Sequence, residues 1–133
     1  MPVKVIADSN FLMLPSQRRI DIFRELYLSL NRSVQIIILS PVYDELRNIS
    51  LTRHPKLRKQ ASLTLKMIEG LEIVNTKPNS KETVDDFIIR FAKESKYPVA
   101  TNDKELRKKL RSNNIPVIYL RQGVRLEIEG QVL

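Results

Sequence analysis

Short apolar runs alternate along the chain with segments whose apolar residues recur every three or four positions. "VKVIA" at 3–7 is short and rich in β-branched residues, which predicts a buried strand. Ile20, Phe23, Tyr27 and Leu30 fall at helical spacing and predict an amphipathic helix over 17–31. "VQIIIL" at 34–39 predicts a second strand. Ser40-Pro41 then sets a capping residue before a proline at the first helical position, opening a helix to about Leu51. "RHPK" at 53–56 breaks that helix, and another covers about 57–69, ended by Gly70. "LEIV" at 71–74 is a third strand and "NTKPNSK" at 75–81 a loop. Thr83 caps a helix through about Ser95, "PVAT" at 98–101 is a fourth strand, and 103–112 a helix. "PVIYL" at 116–120 is a fifth strand, and the tail "RQGVRLEIEGQVL" offers an edge strand.

Strands that alternate with helices imply right-handed crossovers. The expected fold is therefore α/β, a mainly parallel central sheet of about five strands with helices on both faces. No repeat, low-complexity segment or linker interrupts the pattern, so residues 1–133 read as one domain. In such sheets the functional crevice lies beyond the carboxyl ends of the strands. Polar residues at those ends are the first place to look for chemistry.

Asp8 directly follows the first strand, and Asp103 follows the fourth by two residues. Each has an ordinary structural explanation, an Asx turn at Asp8-Ser9-Asn10 and a helix cap at Asp103. Glu45 is less easily explained. It falls on the apolar stripe of Val42, Leu46 and Ile49, while Asp44 points elsewhere. A carboxylate there needs a partner, either an Arg or Lys or a cation. In the 83–95 helix, Val84, Phe87, Ile88 and Phe91 define the inward face, and Asp85 lies on its edge. Asp86 turns toward solvent, three residues after Thr83 where a capping-box acid belongs. Asp86 is thus assigned mainly to the cap and the helix dipole.

Asp8, Glu45, Asp85 and Asp103 come from separate segments and converge on one edge. Clustered carboxylates repel and raise each other's pKa values, a conflict that a divalent cation removes. Oxygen ligation with retained water suits Mg²⁺ or Mn²⁺. The chain has no cysteine and one histidine, His54, so thiolate zinc sites, multi-histidine sites and disulfides are excluded. His54, beside Pro55, reads as an exposed loop residue.

The net charge of +8 makes nucleic acid the first partner to consider, against the plainer reading of a basic soluble surface. The basic candidates are Arg18 and Arg19, then Arg53, Lys56 and Arg58, then Lys104, Arg107 and Lys108. Aromatic residues make up 6% of the chain, so extensive base stacking is not expected. No apolar run is long enough to span a bilayer, and the first residues lack the features of a signal peptide. A cytoplasmic protein with no membrane partner is expected. A doubly wound small-molecule binder is disfavoured, because no Gly-rich phosphate loop follows the first strand.

Four pieces, "VIADSN" at 5–10, "SPVYDEL" at 40–46, "TVDDFIIRFA" at 83–92 and "VATND" at 99–103, together resemble the PIN-domain ribonucleases in order and spacing. The resemblance covers nearly the whole chain. It implies a Rossmann-like sheet, an acidic Mg²⁺ or Mn²⁺ pocket and endonucleolytic cleavage of single-stranded RNA. Carried over by position, Asp8, Glu45, Asp85 and Asp103 match the family's acids. Asn10, Thr101 and Asn102 match its supporting polar residues, with Asp86 beside them. The "DD" doublet at 85–86 looks more like PIN proteins of ribosomal-RNA processing than like the toxin of a toxin–antitoxin pair, which is the second reading. A non-catalytic RNA-binding or assembly module is the third. The protein partners implied are a second copy of the chain, an antitoxin or a ribosome-assembly factor.

Overall fold

The computed structural model describes residues 2–122 and 125–133. Met1, in the segment scanned for a leader, and Gly123 and Val124, in the tail read as an edge strand, lie outside the described residues. The elements in chain order are β1 (Val3–Ala7), α1 (Ser9–Leu12), α2 (Leu14–Arg18), α3 (Ile22–Leu30), β2 (Val34–Leu39), α4 (Ser40–Ser50), α5 (Pro55–Met67), β3 (Glu72–Val74), α6 (Val84–Ser95), β4 (Val99–Ala100), α7 (Lys104–Ser112), β5 (Val117–Leu120) and β6 (Leu126–Glu129). The six strands form one sheet in the order β3-β2-β1-β4-β5-β6. All pairs are parallel except β5 with β6, which is the expected tail strand.

The sheet is apolar because its strands are covered. Val5, Ile6, Ile37, Ile38, Val99, Val117 and Ile118 are all buried, as central strands beneath helices must be. Phe11, Leu12, Val42, Leu46, Phe87, Ile88, Leu106 and Leu110 close over them from the helices. The chain runs outward from β1 to β2 and β3, then returns to place β4 on the other side of β1. That reversal opens a crevice at the carboxyl ends of β1 and β4.

The expected helix over 17–31 is corrected. Arg19 adopts a left-handed conformation (φ 54°) and stops α2, and Asp21 then caps α3 through its side chain. The restart changes the buried face. Ile22 and Leu26 are inward, whereas Phe23 and Tyr27 are 40% and 54% exposed. The segment carries two overlapping apolar stripes, and periodicity alone does not choose between them. The helices at 9–12 and 14–18 were not expected either. Ser40 is the first residue of α4 rather than its cap. Its hydroxyl is tied to the backbone of Thr76, with Leu39 in the cap position. Thr83 caps α6 as expected, its oxygen accepting from the backbone N–H of Asp86.

Candidate active site

The parallel pairing of Ile6 with Val99 and Ala7 with Ala100 makes β1 and β4 end side by side. Asp8 and Thr101 therefore leave the sheet together, at 5% and 0% exposure. Asp8 begins α1, one carboxylate oxygen accepting from the backbone N–H of Ser9 at 2.8 Å. The other oxygen accepts from Thr101 Oγ1 at 2.9 Å and Asn10 Nδ2 at 3.1 Å. Asn10 reaches across in turn, its Oδ1 accepting from the Asn102 backbone N–H at 2.8 Å. Asn102 pairs with the end of β5 as a strand residue would. Its Oδ1 accepts from the Leu120 N–H at 2.9 Å and its Nδ2 donates to the Leu120 carbonyl at 3.5 Å. Asn10, Thr101 and Asn102 thus lock the loops after β1, β4 and β5 around Asp8.

Asp103 caps α7 through Oδ1, which accepts from the backbone N–H groups of Glu105 and Leu106 at 2.9 and 3.2 Å. Its backbone N–H donates to Thr101 Oγ1 at 3.2 Å. A cap uses one oxygen of the carboxylate. Glu45, half-buried on α4, accepts a hydrogen bond from the Ser9 hydroxyl. The alternative of an ion pair at Glu45 is not realised. None of Asp8, Glu45, Asp85 and Asp103 has an Arg or Lys within 4.0 Å among the described residues. In a chain with 23 Lys and Arg, that is a notable avoidance.

The acids feel one another. Burial pushes the Asp8 carboxyl up to about 6; hydrogen bonds from Thr101 and Ser9 oppose this, while Glu45 and Asp85 add repulsion. Burial also raises Asp85, with repulsion from Asp103 and Glu45, and Lys109 acts against it. Asp86 is exposed and contributes repulsion last of all. The side chains do not close into a ready grip: among the described residues, no three acidic or histidine groups converge at direct-ligation spacing.

Ser9 belongs to this site and escaped the sequence reading. Ser9 sits between two stronger candidates, and its partner is 36 residues away. Lys109, one of several lysines on the basic stretch at 104–111, lies on α7 and its charge partly offsets the repulsion at Asp85. Lys104 and Lys108 are exposed on α7, and Arg107 lies on the ring of Tyr119, 3.8 Å from its centroid. Arg18 and Arg19 are exposed where α2 ends. Arg53, Lys56 and Arg58 are exposed around the turn into α5, which His54 precedes as cap residue.

The family model described as "PIN like domain" matches residues 5–123 of this sequence. The chain belongs to the PIN-like domain family. Ribonuclease VapC4 of Methanocaldococcus jannaschii is 37% identical over 132 residues, covering 97% of this chain and 98% of that relative. Ribonuclease VapC9 of Archaeoglobus fulgidus is 29% identical, covering 93% of this chain and 87% of the relative. Among solved structures, the PIN domain endonuclease Utp24 superposes with a TM-score of 0.80 at 25% identity, over 98% of this chain and 94% of that one. The six-stranded, mostly parallel sheet is therefore that of a PIN domain with its Rossmann-like topology.

Proposed function

We propose that this PIN domain is a metal-dependent endoribonuclease that hydrolyses phosphodiester bonds in single-stranded RNA. The observation that carries this is the set of carboxylates left without cationic partners at the end of β1 and β4, with Asp8 buried among them. A pure binding surface gains nothing from such a set, and a divalent cation offsets its repulsion. The ribonuclease names of the curated relatives and the endonuclease name of the structural neighbour support the same chemistry.

The donors are oxygen alone, which suits Mg²⁺ or Mn²⁺. Asp8 and Asp103 are the principal ligands, because strand ends and a helix cap hold them most rigidly. Glu45 and Asp85 complete the pocket, directly or through retained water, as Mg²⁺ commonly allows. When bound, the ion supplies a water of lowered pKa and shields the phosphate charge. The residues do the rest. Asn10 and Thr101 fix the Asp8 carboxylate and Ser9 holds Glu45, and on this reading Glu45 and Asp85 would orient the attacking water. The surrounding positive charge brings RNA to a pocket that by itself would repel it.

For the biological role, the VapC name of both curated relatives favours the toxin of a toxin–antitoxin pair, with an antitoxin as partner. Ribosomal-RNA processing, suggested by the Asp85-Asp86 doublet, is the second role. Cleavage of a generic single-stranded RNA in Mn²⁺, absent with chelator and lost in Asp103→Asn, is the expected result. Equal cleavage by wild type and by Asp8→Asn would remove the carboxylate mechanism. Growth arrest on expression, relieved by Asp8→Asn, would separate the toxin role from RNA processing.

A further inference from the structure

On α7, Lys104, Arg107, Lys108 and Arg111 recur at helical spacing and share one side. With Glu129 of β6 they line a cavity of about 350 Å³. None of the four has a carboxylate within 4.0 Å among the described residues, although Glu105 and Glu129 are close in sequence or space. Arg107 is the fixed member. Its guanidinium lies on the Tyr119 ring at 3.8 Å, and its Nε is buried without a hydrogen-bond partner. Arg111 is held by the Ile115 carbonyl, to which it donates at 3.2 Å. Lys104 and Lys108 are exposed and free to reach outward. The stripe starts beside Asp103 and runs about 10 Å along the helix, the rise of seven residues.

We propose that this stripe seats two successive backbone phosphates of the RNA on one side of the cut, with Arg107 on Tyr119 as a preset clamp. This rests on the nuclease reading given above. Two features favour phosphate. The stripe is continuous with the acid-lined end of the sheet, so a strand lying in that crevice has a path onto it. A stacked guanidinium also presents its remaining N–H groups in a rigid fork that matches a phosphate. Base readout is not required, so the contact is to the backbone and is insensitive to sequence. An acidic protein segment is the competing occupant.

The test is binding of a fluorescent single-stranded RNA by the full chain in chelator, across a series of KCl concentrations. Lys104→Ala with Lys108→Ala, both exposed, leaves the core intact. The expected result is a salt slope shallower by about 1.4, at about 0.7 per lost phosphate contact, and binding weaker on the order of tenfold. Arg107→Lys keeps the charge but loses the fork and the stacking, and should also weaken binding. Lys77→Ala with Lys93→Ala is the control for net charge alone. An unchanged slope in the α7 variant, or an equal loss in the control, overturns the proposal. An unchanged RNA slope with lost binding of polyglutamate assigns the stripe to an acidic protein partner instead. Because chelator stops metal-dependent cleavage, these outcomes do not depend on whether the chain is a nuclease. Conversely, absence of cleavage in Mn²⁺ with the slope change intact would sink the nuclease reading alone.

Discussion

The hydroxyl of Thr101 donates to Asp8 Oδ2 at 2.9 Å across the seam between β1 and β4, joining residues 93 positions apart. Thr101 is fully buried, and its hydrogen bond favours the charged form of Asp8. Thr101→Val keeps the shape and removes the donor. The variant should lose about 1–3 kcal/mol of stability at pH 8, where Asp8 is ionised. The loss should shrink below pH 5, where Asp8 carries its own proton. Urea unfolding at the two pH values measures the difference, and an equal loss at both would contradict the assigned role.

Asp8 also sets a pH dependence of opposite sign to that of a salt-bridged carboxylate. Its pKa is raised from 3.8 to about 6 by burial. Between those values the native protein holds a proton that the unfolded chain has released. Stability contributed by this group is therefore full below the lower value and is lost as pH rises through the upper one. The loss amounts to about 3 kcal/mol. Subtracting the profile of Asp8→Asn from that of the metal-free wild type isolates it from other carboxylates. Added Mn²⁺ should reverse the loss in wild type and not in the variant.

Asp103 carries two roles that one pair of substitutions separates. Asn is as good a helix cap as Asp, so Asp103→Asn should unfold within about 0.5 kcal/mol of wild type. Asp103→Ala loses the bonds from Glu105 and Leu106 and should cost about 1 kcal/mol. Both should lose nuclease activity. Retained cleavage in Asp103→Asn would make the residue a cap and nothing more.

Asp85 and Asp86 are adjacent and differ in surroundings. Asp85 is half-buried and repelled by Asp103 and Glu45, while Asp86 is exposed. Asp85→Asn should weaken metal affinity or activity roughly 10–100-fold, and Asp86→Asn should change either only slightly. Calorimetric titration with Mn²⁺, beside the cleavage rate, reads both. The reverse order would move the third acid to Asp86.

The α/β order, the Thr83 and Asp103 caps and the parallel sheet were legible because local propensity and periodicity agreed there, whereas the helix expected to run to 69 and end at Gly70 stops at Met67 with Ile68 as its cap. So was the direction of Glu45, since a carboxylate on an apolar stripe is visible in one dimension. The reading failed at 17–31, where two apolar stripes overlap and Arg19 breaks the helix. It failed again at Ser40, whose hydroxyl is drawn to Thr76 by a tertiary contact that outweighs capping.

What the chain alone determined, then, was which elements form and which acids stand at strand ends, because strand and helix periods and caps are local. The tertiary structure decided that Asp8 and Thr101 share one buried seam, that the Ser9 hydroxyl and not an Arg or Lys meets Glu45 among the described residues, and that Arg107 rests on Tyr119. These depend on strand order and helix rotation, which long-range packing sets and no window of neighbouring residues encodes.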